Sequence, residues 1–115
     1  MDKHQPPKPV VLNYKGIDYT LDFNRKTVRR MEENGFDVTR VGSMPISGVL
    51  TLFYGAFQMH HRFVRQELAE EIWDAQKGKQ KLLSALIALY TENINTLMDD
   101  EDDPDDDANP TWSFQ

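Results

Sequence analysis

The sequence predicts an α+β fold that is mostly helical: an N-terminal β-hairpin, then about four α-helices and an acidic C-terminal tail that we expect to be disordered. Apolar and polar residues alternate from Ile17 to Phe23, as they do in a half-buried strand. From Pro45 to Met98, apolar residues recur every three or four positions, which is the period of helices that face a core. Asp99–Asp107 holds eight acids in nine positions, and such a block repels itself and buries no apolar area.

The composition divides the chain of 115 residues into three parts. Residues 1–9 contain Pro6, Pro7 and Pro9, which are typical of a flexible, extended arm. Residues 10–98 are long enough for one hairpin-plus-helical domain with a modest core. Residues 99–115 form the acidic tail.

In the predicted hairpin, Val10–Tyr14 pairs with a second run in which Ile17, Tyr19, Leu21 and Phe23 occupy alternate positions. Lys15-Gly16 lies between the two runs and supplies a tight turn, because glycine adopts positive φ without strain. Two strands alone are marginally stable in water, so the apolar face of the hairpin must pack against helices.

The first helix is predicted from about Asn24 to Asn34. Asp22 or Asn24 can cap its N-terminus, and Asn34-Gly35 is a C-terminal stop signal. Residues 36–43 then form a connector with a weak apolar pattern.

The second helix is predicted to begin near Pro45, because proline is favoured in a first turn. It carries two apolar rows, and such a helix either is central to the fold or has one side covered by a partner. The first row comprises Ile46, Val49, Leu50, Phe53, Phe57 and His60. The second row comprises Leu52, Ala56, Met59 and Phe63.

Two further helices complete the domain. The third covers about Val64 to Gln76, with Leu68 and Ile72 continuing the stripe that Val64 begins. The fourth covers about Lys79 to Met98 and keeps apolar residues at helical spacing over five turns.

We find no arrangement of residues typical of a catalytic, cofactor or metal site, and we expect that the protein is not an enzyme. The chain lacks cysteine, which excludes disulfides, thiolate zinc sites and a cysteine nucleophile. His60 and His61 are adjacent, so on a helix they point about 100° apart and cannot share one ion. We expect His60 to be partly buried and His61 to lie on the surface. No motif for nucleophilic catalysis surrounds Ser43, Ser47 or Ser84.

The sequence also predicts a cytoplasmic protein without a membrane span. Met1–Pro9 is polar and proline-rich, unlike a signal peptide. The longest apolar stretch, Leu82–Tyr90, is interrupted by Ser84 and is far shorter than the ~20 residues that span a bilayer. The absence of cysteine fits the cytosol.

The net charge of −6 comes from the tail, because the rest of the chain has eleven acids and thirteen Lys and Arg. The first helix is basic at Arg25, Lys26, Arg29 and Arg30. Phosphate contacts need little more than such a patch, but no stacking or recognition-helix motif accompanies it, so we do not expect nucleic-acid binding. We hypothesise instead that the tail shields this basic face until a partner displaces it.

Two sets of residues are candidates for partner binding. The row formed by Leu52, Ala56, Met59 and Phe63 is a candidate groove for an apolar helix, although each member is also suited to the core. Trp112 and Phe114 follow the acidic run and are candidates for a short linear motif, the alternatives being that they fold back or contact nothing.

The order of elements resembles the tail assembly chaperones of long-tailed bacteriophages, over roughly residues 10–100. The similarity begins with the hairpin segment Tyr14–Phe23 (Tyr-Lys-Gly-Ile-Asp-Tyr-Thr-Leu-Asp-Phe) and continues with the charged helix Asn24–Gly35. It also includes the helix carrying Leu52, Phe53, Ala56, Phe57 and His60, the Glu-rich segment Glu67–Trp73, and the leucine-rich segment Leu82–Met98.

This resemblance implies a function. Such chaperones bind the long, helical, apolar tape measure protein in the bacterial host cytoplasm, keep it soluble and recruit tail tube subunits around it. They are then released and are absent from the mature virion. Self-association is also common among them.

Two other functions remain open. The chain could be a small phage regulator or inhibitor whose acidic tail mimics nucleic acid, in which case the tail alone would bind a basic protein with steep salt dependence. It could also be a minor structural protein of the virion, which would then be found in purified particles.

Overall fold

A computed structural model describes residues 6–97, and it confirms the predicted hairpin followed by four helices. Residues 6–9 of the arm form neither helix nor strand, and the acidic tail lies outside the described residues. The two strands are β1 (Val10–Tyr14) and β2 (Ile17–Leu21). The four helices are α1 (Arg25–Glu33), α2 (Pro45–Phe57), α3 (Gln66–Ala75) and α4 (Lys79–Leu97), with a 3₁₀ turn at Val38–Arg40.

The hairpin has the predicted two-residue turn. Tyr14 pairs with Ile17, and Lys15 and Gly16 both have positive φ, 52° and 83°. These values match the primed turn whose twist suits a hairpin. Asn13 supports the turn, because its Oδ1 accepts from the backbone N–H of Gly16 at 3.2 Å.

Helix α1 has the predicted caps. Of the two candidates, Asn24 is the N-cap: its Oδ1 accepts from the backbone N–H and the hydroxyl of Thr27, at 2.8 and 2.7 Å. Gly35 has φ 94°, and the next N–H, of Phe36, donates to Met31 O at 2.9 Å. This is a Schellman ending, which reverses the chain at the end of the helix.

Helix α2 lies at the centre of the fold and packs against β2, α3 and α4. Both predicted rows enter the core in its second half, where Leu52, Phe53, Ala56 and Phe57 are fully buried. Ile46, in the first turn, is 79% exposed. Of the two alternatives for a helix apolar on two sides, the central position is the one adopted.

Helix α2 ends at Phe57, so the prediction that its second row continues to Phe63 is wrong. The backbone N–H of Asp22, just after β2, donates to Ala56 O at 3.1 Å and satisfies a carbonyl at the end of the helix. Residues 58–65 then turn beside β2, and α3 begins at Gln66. The helix therefore stops because of a contact between elements that are distant in sequence.

One apolar core joins all the elements. Side chains from the inner face of the hairpin meet those of the four helices and of Val64. Its buried members are Leu12, Tyr19, Leu21, Phe23, Val28, Met31, Leu52, Phe53, Ala56, Phe57, Val64, Ala69, Ile72, Leu86, Leu89 and Tyr90. The last turns of α4 leave the core, since Ile94 is 38% and Leu97 57% exposed.

Gly48 and Gly55 allow close packing on α2, and the two should respond differently to alanine. A Cβ at Gly48 would lie 2.9 Å from Val41 Cα, whereas one at Gly55 would meet the mobile end of the Met31 side chain, 2.6 Å from Sδ. We expect Gly48→Ala to destabilise the protein by about 1–3 kcal/mol, because backbone must move. In Gly55→Ala, the gain in helix propensity of about 1 kcal/mol offsets the free-energy cost of moving the Met31 side chain. Urea denaturation of both variants measures the difference, and equal stabilities would contradict this interpretation.

Tyr90 should make stability depend on pH under alkaline conditions. Burial, followed by the negative charges of Glu32 and Asp37, raises its pKa to about 12. An unfolded chain releases this proton near pH 10, before the folded chain does. The contribution of Tyr90 to the stability is therefore fully present below about pH 10 and is lost as the pH rises through about 12. Tyr90→Phe should reduce this fall in the urea midpoint relative to the wild type, and parallel profiles would show that Tyr90 does not contribute.

Candidate interaction surfaces

The structure divides the predicted row of four partner-binding residues. Leu52 and Ala56 are fully buried in the core of the described domain. Met59 and Phe63 follow the end of α2 and are 37% and 96% exposed. The four therefore do not line one groove, and within this row only Met59 and Phe63 are accessible to a partner. The other two candidates, Trp112 and Phe114, lie outside the described residues.

The segment between α2 and α3, residues 58–65, is termed the α2–α3 loop below. Phe63 is exposed to solvent on this loop, between two residues whose positions are fixed by their contacts. On one side, His61 Nε2 accepts from the backbone N–H of Thr20 in β2 at 2.9 Å. On the other side, Val64 is buried, and its N–H donates to His61 O at 3.1 Å. The exposed ring is therefore carried by a loop whose conformation is set by its neighbours.

The expected environments of the two histidines are reversed. His60 is exposed, whereas His61 is half-buried and packs edge-on against Tyr19, with ring centroids 5.2 Å apart. The reason is the end of α2 at Phe57, which removes both histidines from the helical row. Because Nε2 of His61 accepts this hydrogen bond, the tautomer that fits the site carries its proton on Nδ1.

The surface of the α2–α3 loop combines apolar and basic groups. Met59, His60, Arg62 and Phe63 line a shallow depression together with His61 and Val64. Arg62 is exposed beside Phe63, and neither Arg62 nor Arg65 has a carboxylate partner among residues 6–97. An aromatic anchor flanked by unpaired cations suits an apolar partner surface with acidic groups at its edge.

A second surface is a groove of about 410 Å³ between α1, the connector and α2, termed the α1–α2 groove below. Its surface is mostly apolar, and one face of α2 forms its floor along the whole helix. That face comprises Met44, Ser47, Gly48, Thr51, Tyr54, Gly55 and Gln58. The opposite wall comprises Thr27, Arg30, Met31, Asn34, Gly35, Phe36, Asp37 and Arg40. The prediction from the sequence missed this groove.

The rim of the α1–α2 groove is basic. Arg30 and Arg40 line it, and Lys26 lies one turn before Arg30 on α1. None of these cations forms a salt bridge within residues 6–97, and Arg40 donates to Met44 Sδ at 3.3 Å. The lining also includes Asp37, whose Oδ1 accepts from the hydroxyl and the N–H of Thr39 at 2.6 and 3.0 Å. These two hydrogen bonds lower the pKa of Asp37 and direct its charge toward the 3₁₀ turn.

A third polar cluster ties the hairpin turn to α3. The Tyr14 hydroxyl donates to Glu71 Oε2, and Lys15 Nζ lies 3.6 Å from the same oxygen. The Tyr14 hydroxyl, followed by the charge of Lys15, lowers the pKa of Glu71. All three groups satisfy one another at the surface, so this cluster holds two elements together.

Within residues 6–97, no three His, Asp or Glu side chains are placed to bind a metal ion together. None of the helices in that range has the length and apolar character needed to cross a bilayer.

Comparison with known protein families identifies a match to this chain. The model of a family described as a domain of unknown function, DUF5055, matches residues 7–114, which include the last three residues of the arm, the hairpin and all four helices, and most of the acidic tail. No curated protein and no solved structure matches the chain.

Proposed function

The chain belongs to the DUF5055 family, and we propose that it is a tail assembly chaperone that binds the tape measure protein of a long-tailed bacteriophage. The order of hairpin and helices supports this through the resemblance described above. The single observation that carries the proposal is Phe63, which is 96% exposed on a loop fixed by His61 and Val64.

An exposed phenylalanine is a strong anchor for a partner. Burying such a side chain contributes about 1.5–3 kcal/mol, and interfaces concentrate binding energy in a few aromatic residues. Because the α2–α3 loop is tied to β2 and to the core, the backbone that carries Phe63 needs little ordering when the ring binds. Met59 adds a flexible apolar contact that adapts to different neighbours.

A long amphipathic helix fits this surface. Residues at i, i+3, i+4 and i+7 of such a helix form an apolar stripe into which the Phe63 ring can insert. Arg62 and Arg65 would then face acidic residues beside that stripe, which favours one orientation of the partner. In this proposal the chaperone keeps the tape measure protein soluble, recruits tail tube subunits and is released before the virion matures.

Affinity capture of the tagged full-length chain from cells that produce the phage, followed by mass spectrometry, tests the proposal. We expect a long helical tape measure protein and a tail tube subunit in the eluate, and no copy of the chain in purified virions. A basic regulatory or nucleic-acid-binding protein recovered in their place would overturn the proposal. Presence of the chain in purified virions would favour the minor structural protein.

A further inference from the structure

The C-terminal segment starts close to the α1–α2 groove. Asn93 Nδ2, near the end of α4, donates to Phe23 O at 3.2 Å, next to the N-cap of α1. One turn earlier, Tyr90 packs edge-on against Phe36, a residue that lines the groove, with ring centroids 5.4 Å apart. Leu97 lies seven residues after Tyr90, which is about 10 Å further along the axis of α4 at 1.5 Å per residue.

The segment is long enough to reach the groove. Trp112 lies fifteen positions after Leu97, and an extended chain of that length spans about 50 Å. The match to the family model continues to residue 114, so the family includes this segment along with the helical domain.

Its chemistry also complements the groove. The acidic run Asp99–Asp107 precedes two aromatic residues, Trp112 and Phe114. The groove offers the reverse of this pattern. Arg30 and Arg40 form no salt bridge within residues 6–97, and the groove surface is mostly apolar by area and includes Met44, whose Sδ accepts from Arg40 at 3.3 Å. Its volume of about 410 Å³ lies within the range of pockets that hold compact apolar groups.

We propose that this chain's own C-terminal segment occupies the α1–α2 groove, with Trp112 and Phe114 on the apolar floor and the acidic run along Lys26, Arg30 and Arg40. The connection within one chain makes the local concentration of the segment about millimolar, so even a weak motif is held. This inference concerns a different surface from the α2–α3 loop, and it stands or falls independently of the proposed function.

A spin label tests the docking in the full-length chain. Because the chain has no cysteine, Ser113→Cys gives a unique labelling site between the two aromatic residues. At low salt, the amide NMR signals of Gly35, Thr51 and Tyr54 should lose most of their intensity, and reducing the nitroxide should restore them. Higher ionic strength should weaken the loss, since it screens the contact between the acids and the rim cations. Unchanged intensities at these groove amides would overturn the proposal.

Matched variants separate the contributions of the aromatic residues and the charges. Adding Trp112→Ala and Phe114→Ala to the labelled chain should restore the groove signals. Arg30→Glu should restore them in part, whereas Arg62→Glu, the same change of charge on the α2–α3 loop, should not.

A mixture of two proteins tests whether the segment comes from the same chain or from a second copy. One is the spin-labelled Ser113→Cys protein without ¹⁵N, and the other is ¹⁵N-labelled wild type, which has no cysteine to carry a label. If the signal loss persists fully in that mixture, the occupant is the segment of a second copy, and the intramolecular proposal is wrong.

Discussion

Replacing Phe53 by alanine is expected to lower the free energy of unfolding by about 3–5 kcal/mol. Phe53 is fully buried in α2, the helix that packs against α3, α4 and β2. Its ring contacts Phe57 and Trp73 edge-on, each with a centroid distance of 5.1 Å. Truncation therefore leaves a cavity between helices and removes two aromatic contacts. Domains of this size are stable by about 5–15 kcal/mol, so the change removes a large part of the total.

Urea denaturation followed by circular dichroism measures this effect, and Ile46→Ala on the same helix is the matched control. Ile46 is 79% exposed, so its truncation should change the stability by no more than about 0.5 kcal/mol. Similar losses for Phe53→Ala and Ile46→Ala would contradict the central position of the second half of α2.

Local signals in the sequence predict most of the fold. The Lys15-Gly16 turn, the Asn24 cap and the Gly35 stop each depend on residues within a few positions of one another. The end of α2 depends instead on Asp22 and His61, which bond to residues 34 and 41 positions away in sequence. No glycine or proline occurs between Gln58 and Arg65 to mark that end, so the periodicity alone extends the helix too far.

The interaction surfaces were predicted less completely, for the same reason. Phe63 was identified as a partner-binding candidate on a helical row, but the structure places it on a loop, where its exposure is far greater. The α1–α2 groove requires α1, the connector and α2 to come together. Its floor mixes small, polar and apolar residues, so no hydrophobic pattern marks it in the sequence.

If the proposed function holds, replacing Phe63 by serine weakens binding of the tape measure protein by roughly 30-fold, which corresponds to about 2 kcal/mol for an aromatic anchor. The stability of the free chain should change by no more than about 0.5 kcal/mol, because the ring makes almost no contact within the described domain. Titration of the captured tape measure protein with each purified variant measures the affinity, and urea denaturation measures the stability.

Ile46→Ser is the matched control, because it also removes an exposed apolar side chain, about 18 Å along α2 from the start of the α2–α3 loop. If Phe63→Ser alone loses affinity, the partner contacts the α2–α3 loop. Equal losses would mean that binding depends on general surface hydrophobicity. If Phe63→Ser instead changes only the sedimentation coefficient of the free chain, the exposed ring joins two copies of the chain, and the site for the tape measure protein must lie elsewhere. The combination of unchanged stability with lost affinity is therefore what distinguishes a partner-binding anchor from a residue of the fold.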